Sequence, residues 1–586
     1  MMLHNSHLPL YRSPLGPAAA GSRITIRFFC DDADTVILRT WMGQELAFPM
    51  VKQDGSLWVH ELQVPNATGH LWYDFIVLGP QARIRRYGAP GDGLGGEGQE
   101  WPDHFHAYQL TVYQPSYHTP AFLHGANIYQ IFPDRFFKAP TAAVDTRTDR
   151  RMHKDWLEKL YCGTEGESEE TVGLEFYGGT LTGIEQKLPE LKQMGIDVLY
   201  LNPIFKSLSN HRYDTGDYTR IDPLLGTEAE FRSLCRHAKE LGMSILLDGV
   251  FSHTGEDSLY FNHFGHYPGK GACQGEDSPY YRWYTFEHFP DKYKCWWGFK
   301  NLPEVNKENP DYQNFMFNST DGIVSRWIRE GASGWRLDVA DELSMDFLRK
   351  LRKTAKAENP EAVVLGEVWE DASNKTAYGE VRCYCTGDTL DSVMNYPLRR
   401  VILDFVTGKI DAQALVRLVE HQEEVYPPQF RYSLMNLLGS HDRARVLNNM
   451  VDKDGQGLSR REQAGIHLSP SEYVLAVKRF KVCLDLLCAL PGCPTLYYGD
   501  EAGMTGCADP FCRRPYPWGH EDKDLRSYVS ARFRHRQQSE VLRVGLCSIQ
   551  ALDADTVRIT RYLDGTRDAL GNPTDTVAQE VYTIHR

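Results

Sequence analysis

Four short segments of this chain each end an apolar run with a carboxylate. They are Leu246–His253 (LLDGVFSH), Gly334–Glu342 (GWRLDVADE), Val363–Asp371 (VVLGEVWED) and Leu437–Arg445 (LLGSHDRAR). Each reads as a buried strand followed at once by acidic or histidine groups. Four in series suggest a parallel barrel whose strand ends surround a multi-carboxylate site, and paired carboxylates at one site are the tools of sugar chemistry.

In a strand, alternate residues share a face. Arg336 and Asp338 therefore point to the barrel mouth, while Trp335, Leu337 and Val339 point outward. A guanidinium beside a carboxylate favours the ionised form, so Arg336 is expected to depress the pKa of Asp338 and leave it nucleophilic. Glu367 ends the next strand in a partly apolar wall that continues to Trp369. Facing a second carboxylate there, it is expected to keep its proton and act as an acid. The doublet His441-Asp442 can bind sugar hydroxyls, and its carboxylate can stabilise developing positive charge. Asp248 and His253 mark the third strand end. Singly, each group also fits a plainer role: a structural Arg–Asp pair, a capping Glu, an N-cap Asp, a structural histidine. Their shared position at strand ends weakens those alternatives together.

The elements that must hold these groups divide the chain. Residues Arg23 to Val112 alternate apolar and polar (ITIRFF, TVILRTW, LWYDFIVL), the pattern of an antiparallel β-sandwich over 1–118. Tyr113–Thr119 reads as a linker. From Ala126 short apolar runs, first Asn127–Ile131 and last Thr495–Tyr498, alternate with amphipathic stretches such as Leu181–Met194 and Phe315–Glu330. The alternation predicts an α/β fold, a (β/α)8 TIM barrel over 119–530. The aperiodic stretch 253–309 after the third strand predicts an inserted excursion. Residues 531–586 predict a small C-terminal β domain, short enough to be incomplete.

Composition narrows the partners. A formal net charge of -14 would repel phosphate backbones, which argues against general nucleic-acid binding. Neutral sugars are not repelled, and 12 Trp with 31 Tyr supply flat rings for stacking. The amino terminus lacks an apolar signal region, and the most apolar run, Val482–Tyr498, is broken by Asp485 and two prolines. The 13 cysteines show no disulfide framework and favour reduced thiols in a cytoplasm. Cys383-x-Cys385 and Cys507-x4-Cys512 have no partners at zinc spacing.

At these residues the chain resembles the α-amylase superfamily of glycoside hydrolases, over about Ala126 to Gly519. Asp248–His253, GWRLDVADE, GEVWEDA and LLGSHD look like its four signature regions, supported by YQIFPDRF, YGGTLTGI, YDTGDY and YYGDEAGM. LPEVN (Leu302–Asn306), the second region and the N-terminal sandwich are most similar to neopullulanases, cyclomaltodextrinases and maltogenic amylases. The resemblance implies a retaining double displacement on α-1,4, and in part α-1,6, glucosidic bonds of maltodextrin, cyclodextrin or pullulan. Asp338 would be the nucleophile, Glu367 the acid and base, and Asp442 the transition-state stabiliser. Arg336 would hold Asp338 ionised, His253 and His441 would bind hydroxyls, Tyr213 would stack beneath the ring, and Asp214, Asp248 and Trp369 would support or line the site.

Three departures qualify that picture. Ser252 stands where relatives have Asn, the Asn-Gly-Asp turn after PDRF is replaced by FKAPTAAV, and VADE stands for VANE. No cofactor and no obligatory metal, calcium included, is expected. The N-terminal domain has three open roles: glucan binding, dimerisation or covering the active site. Two other readings remain at this level: an α-glucanotransferase using the same ester, and a non-catalytic glucan-binding module, against which the retention of all three acids speaks.

Overall fold

The computed structural model describes residues 1–102, 106–140, 149–161 and 173–586. The replacement residues Thr141–Val144 after PDRF lie outside them. Residues from Met2 to Tyr113 form a five-stranded and a seven-stranded sheet, antiparallel but for the pair Ala18–Ala19 with Tyr108–Tyr113. Alternation in sequence becomes alternation in burial. In Arg23–Cys30 every second side chain is buried, and Ile24, Ile26 and Phe28 meet Val36, Leu38, Phe75 and Val77 of the facing sheet. Tyr113–Thr119 is not a free linker. Tyr117 is buried, its hydroxyl donates to the Leu390 carbonyl (3.0 Å), and Gln114 N–H donates to Thr386 (2.9 Å).

Eight parallel strands follow, numbered here as barrel strands: β1 Ile128–Ile131, β2 Val198–Leu201, β3 Ser244–Gly249, β4 Gly334–Leu337, β5 Val363–Gly366, β6 Ser392–Val393, β7 Met435–Leu437 and β8 Cys493–Tyr497. They pair in chain order, and β8 pairs with both β1 and β7. A parallel bridge from Met394 to Met435 joins β6 to β7, so the sheet is a closed barrel. The strand parity sorts side chains into two cores. Ile128, Val198, Tyr200, Leu246, Val363, Leu365, Met435 and Leu437 fill the inside. Tyr129, Leu199, Leu201, Leu247, Trp335, Leu337 and Val364 pack outward against the helices.

Helices Leu181–Met194, Glu228–Glu240 and Met345–Glu358 begin at Thr or Ser caps and follow the amphipathic stretches closely. Two connections differ from the sequence expectation. The stretch Phe315–Glu330 is two helices, Pro310–Phe317 and Ile323–Arg329. Asn309 caps the first with Pro310 at its start, and the turn-forming run Asn318–Gly322 breaks the apolar period. Between β5 and β6 there is no helix; a short hairpin of Thr376–Ala377 and Glu380–Val381 takes its place. The stretch 253–309 holds only short turns and the hairpin Phe286–His288 with Lys292–Tyr293, packed on Tyr260, Phe261, Trp283 and Tyr284. Leu546–Asp553, Thr556–Asp564 and Val577–His585 form a three-stranded antiparallel sheet. No helix of the described residues is long and apolar enough to cross a membrane.

Gly334, which opens β4, is held by this geometry. Its φ is +145°, and an added Cβ would meet the Val363 carbonyl oxygen of β5 at 2.2 Å. Gly334→Ala should therefore part β4 from β5 below the site and destabilise the fold by about 1–3 kcal/mol. Thermal unfolding checks this; an unchanged midpoint would mean that the two strands admit the methyl freely.

Candidate active site

The parity that fills the barrel also builds the site. The residue two beyond Leu246 on the inner face is Asp248, and Leu365 leads likewise to Glu367. Gln130 follows Ile128, Asn202 follows Tyr200, and Asp338 follows Arg336. The chain thus delivers a ring of polar groups to the carboxyl ends of the strands, the end where barrels of this kind place their chemistry.

Arg336 is the hub. Its Nη1 donates to Asp248 Oδ1 (2.8 Å) and to Asp338 Oδ1 (3.0 Å). Its Nη2 lies 2.8 Å from Glu367 Oε2, an ion pair outside hydrogen-bond alignment. Strand β4 ends at Leu337, and Val339 takes a left-handed conformation, φ 38°. That conformation is strained for a β-branched residue. It turns the Val339 N–H onto Glu367 Oε2 (2.9 Å), while Trp369 Nε1–H donates to Glu367 Oε1 (3.0 Å). The backbone kink directly after Asp338 thus ties the two carboxylates together. Asp341, two residues on, turns away to Lys375 and to the Tyr384 hydroxyl (2.6 Å).

A second arm reaches Asp442. Asp248 Oδ2 accepts from the hydroxyls of Tyr200 (2.6 Å) and Tyr213 (2.7 Å). The Tyr213 oxygen accepts from Asn202 Nδ2 (2.9 Å) and lies 2.6 Å from His441 Nε2. Burial and the positive charges of Arg513 and Arg336 keep the His441 pKa well below its ordinary value, so the ring is neutral. Gln130 Nε2 donates to His441 Nδ1 (2.9 Å), which leaves the proton on Nε2, towards Tyr213 and towards Asp442 Oδ2 at 3.2 Å. Arg513 lies 3.5 Å from the other Asp442 oxygen.

Of the residues the sequence singled out, Asp338, Glu367, Arg336, Asp248, Tyr213, His441, Asp442 and Trp369 join in one continuous network. His253 and Asp214 stand a layer behind. His253 Nε2–H donates to the Tyr213 carbonyl (3.1 Å) and its Nδ1 meets Ser252 Oγ (3.0 Å), so both nitrogens are engaged within the protein. Asp214 accepts from the backbone N–H (3.1 Å) and hydroxyl of Ser209. Both hold the loop that presents Tyr213. Gln130, Tyr200, Asn202, Val339 and Arg513 belong to the same network and were not picked out from the sequence.

The expectation that Arg336 holds Asp338 below the usual carboxylate range is not met. Burial and the neighbouring Glu367 charge push Asp338 well up, against the opposing pull of Arg336. Asp248 is likewise raised by burial. The physical reason is stoichiometric: one guanidinium serves three buried carboxylates, so it cannot keep them all ionised. Asp442 is pushed up to about 7 by burial and by Glu367, against Arg513 and Arg336. The cluster therefore carries a proton near neutral pH, and that proton belongs to the group of acids rather than to one of them.

Residues 130–541 match the family described as alpha amylase, catalytic domain. The chain belongs to the α-amylase family. Within it, the chain is 35% identical to an amylopullulanase of Thermoanaerobacterium saccharolyticum over 97% of this chain and 47% of that one. It is 31% identical to neopullulanase 2 of Thermoactinomyces vulgaris over 85% of this chain and 77% of that one. The ligand-bound cyclic α-maltosyl-(1→6)-maltose hydrolase of Arthrobacter globiformis superposes with a TM-score of 0.62 at 30% identity, covering 76% of this chain and 89% of that chain. The chain spans less than half the length of the amylopullulanases it matches.

Proposed function

We propose that this chain is a retaining glycoside hydrolase that cleaves α-1,4, and in part α-1,6, glucosidic bonds of maltodextrin, cyclodextrin or pullulan. The supporting observation is that Asp338 and Glu367 share the single guanidinium of Arg336 while the N–H next to Asp338 binds Glu367. Such closeness suits direct attack by one carboxylate with the other as acid, the arrangement of a retaining pair. The substrate class follows the names of the relatives, an amylopullulanase and a neopullulanase among them.

In the first step an Asp338 oxygen bonds to the anomeric carbon and the glycosidic C–O bond breaks, its oxygen taking the proton of Glu367. Attack requires that the proton shared by the acids sits on Glu367 and that Asp338 is ionised. In the second step Glu367 takes a proton from water, the water oxygen bonds to the same carbon, and the Asp338 ester opens. Asp442 faces the positive charge that builds in both steps. Tyr213, His441 and Trp369 fix the sugar, with His253 and Asp214 holding Tyr213 in place. No cofactor takes part in this sequence.

Proton NMR of freshly cut ends tests the stereochemistry: the α-anomer should appear first and the β-anomer only by mutarotation. An initial β-anomer would overturn the assignment of Asp338 as nucleophile. Product profiles on starch, pullulan and β-cyclodextrin, taken side by side, test the substrate range.

A further inference from the structure

Beside the carboxylates lies a cavity of about 670 Å³ that begins at Asp442 and Trp369 and reaches Leu94 of the N-terminal sandwich. Three arginines line it: Arg399, Arg400 and Arg443. Arg399 is only 9% exposed, and its Nε donates to the Leu438 carbonyl (2.8 Å). Among the described residues none of the three forms an ion pair. The carboxylates on the same wall are mostly spoken for. Asp371 pairs with His421 (2.7 Å) and accepts from the Tyr426 hydroxyl (2.7 Å), Glu370 pairs with Lys375, and Asp442 faces His441 and Arg513. Asp454 forms no ion pair among the described residues; it accepts the Gln456 N–H (3.0 Å) and acts on Arg399 only at longer range. Four carboxylates and three arginines thus line the cavity, and three of the acids find their partners elsewhere while the three guanidiniums are left without an ion pair among the described residues.

A guanidinium taken out of water without a counter-charge is unfavourable, and a ligand that brings one removes the penalty. Burial and the neighbouring Arg443 pull Arg399 down to about 10, against the weaker opposing pull of Asp500 and Asp454. Guanidinium forks match phosphate oxygens better than they match single hydroxyls. The floor is built for a sugar ring as well. Trp369 stacks on Tyr396 (centroids 4.3 Å, interplanar 6°), and Arg443 lies 4.2 Å above the Trp369 ring. Trp369 donates to Glu367, so, on the reading of Glu367 as the acid, the cavity lies on the side where the leaving group departs.

We propose that this cavity is a leaving-group-side subsite for an α-glucan carrying a phosphate ester, whose anionic oxygens meet Arg399, Arg400 and Arg443. The test uses the full chain with Glu367→Gln, which should bind while turning substrate over far more slowly. Calorimetric titration compares a maltodextrin carrying 6-phosphate groups with the same dextrin after phosphatase treatment. The phosphorylated form should bind about ten- to hundredfold more tightly, as expected for charge-assisted hydrogen bonds. Adding Arg400→Gln and Arg443→Gln, two changes at side chains that are not fully buried, should erase that preference, with the thermal midpoint read as the folding control. Equal affinity for the two dextrins would overturn the proposal, as would a preference that survives both substitutions. Inorganic phosphate binding as tightly as the phosphorylated dextrin would make the ligand a free ion and overturn the glucan-borne form. Hydrolysis of the dephosphorylated dextrin by the unmodified chain is followed separately. Its absence would count against the proposed activity, while the binding preference would still report on the cavity.

Discussion

Glu367→Gln should lower turnover of maltotriose or pullulan about 10²–10⁴-fold, the range supplied by a positioned acid, while leaving the first chemical step on α-maltosyl fluoride largely intact. Fluoride departs without a proton, so the missing acid matters little to ester formation on Asp338. Hydrolysis of that ester still needs a base, which the amide cannot provide. The ester should therefore accumulate, and mass spectrometry of the quenched protein should show one added maltosyl group. Asp338→Asn should show no adduct with either substrate, because the bond-forming oxygen has lost its nucleophilicity. An equal loss on fluoride and on maltotriose in Glu367→Gln would remove Glu367 from the acid role.

These contrasting outcomes depend on two carboxylates that strand periodicity alone could place. Asp338 and Glu367 were legible because each lies an even number of residues from a buried inward side chain on a short apolar run. Gln130 and Asn202 obey the same parity, yet an amide at a strand end carries no charge signal to mark it. Arg513 comes from the irregular stretch after β8, where no period predicts direction, so its approach to Asp442 needed the fold. Val339 offers no local warning of its left-handed turn, since the residue type opposes that conformation. The same gap explains the break at Asn318–Gly322: the apolar spacing runs through it, and only the turn chemistry of the intervening residues marks the stop.

The direction of the Asp338 shift illustrates a different limit. A pairwise reading of Arg336 beside Asp338 yields an ionised nucleophile. In the barrel the same guanidinium also meets Asp248 and Glu367. Sequence neighbours report which charges are adjacent along one strand, whereas a titration depends on every charge converging from the others. Counting across β3, β4, β5 and β7 gives more acids than cations, and that imbalance keeps a proton within the cluster near neutral pH.

The imbalance also predicts the pH response. On the proposed mechanism Asp442 must be ionised to oppose the positive charge of the transition state, and its pKa is pushed up to about 7. The acid limb of kcat/KM, which reports the free protein, should therefore lie near pH 7 rather than in the usual carboxylate range. Arg513 is the nearest cation that favours ionised Asp442, at 3.5 Å. Arg513→Gln should move the limb further up, so that activity falls more at pH 6 than at pH 8.5. Stability carries the matching sign. A folded-state pKa above the unfolded value gives a contribution that is fully present below the unfolded pKa of about 4 and is lost as pH rises through about 7. At pH 8.5 ionised Asp442 is thus a burden on the fold, trimmed by its 29% side-chain exposure. Asp442→Asn should raise the thermal midpoint at pH 8.5 but scarcely at pH 4, while turnover falls about 10²–10³-fold, the scale for losing one electrostatic stabiliser. A limb unmoved by Arg513→Gln, together with equal midpoint changes at the two pH values, would assign the titration to another group of the cluster.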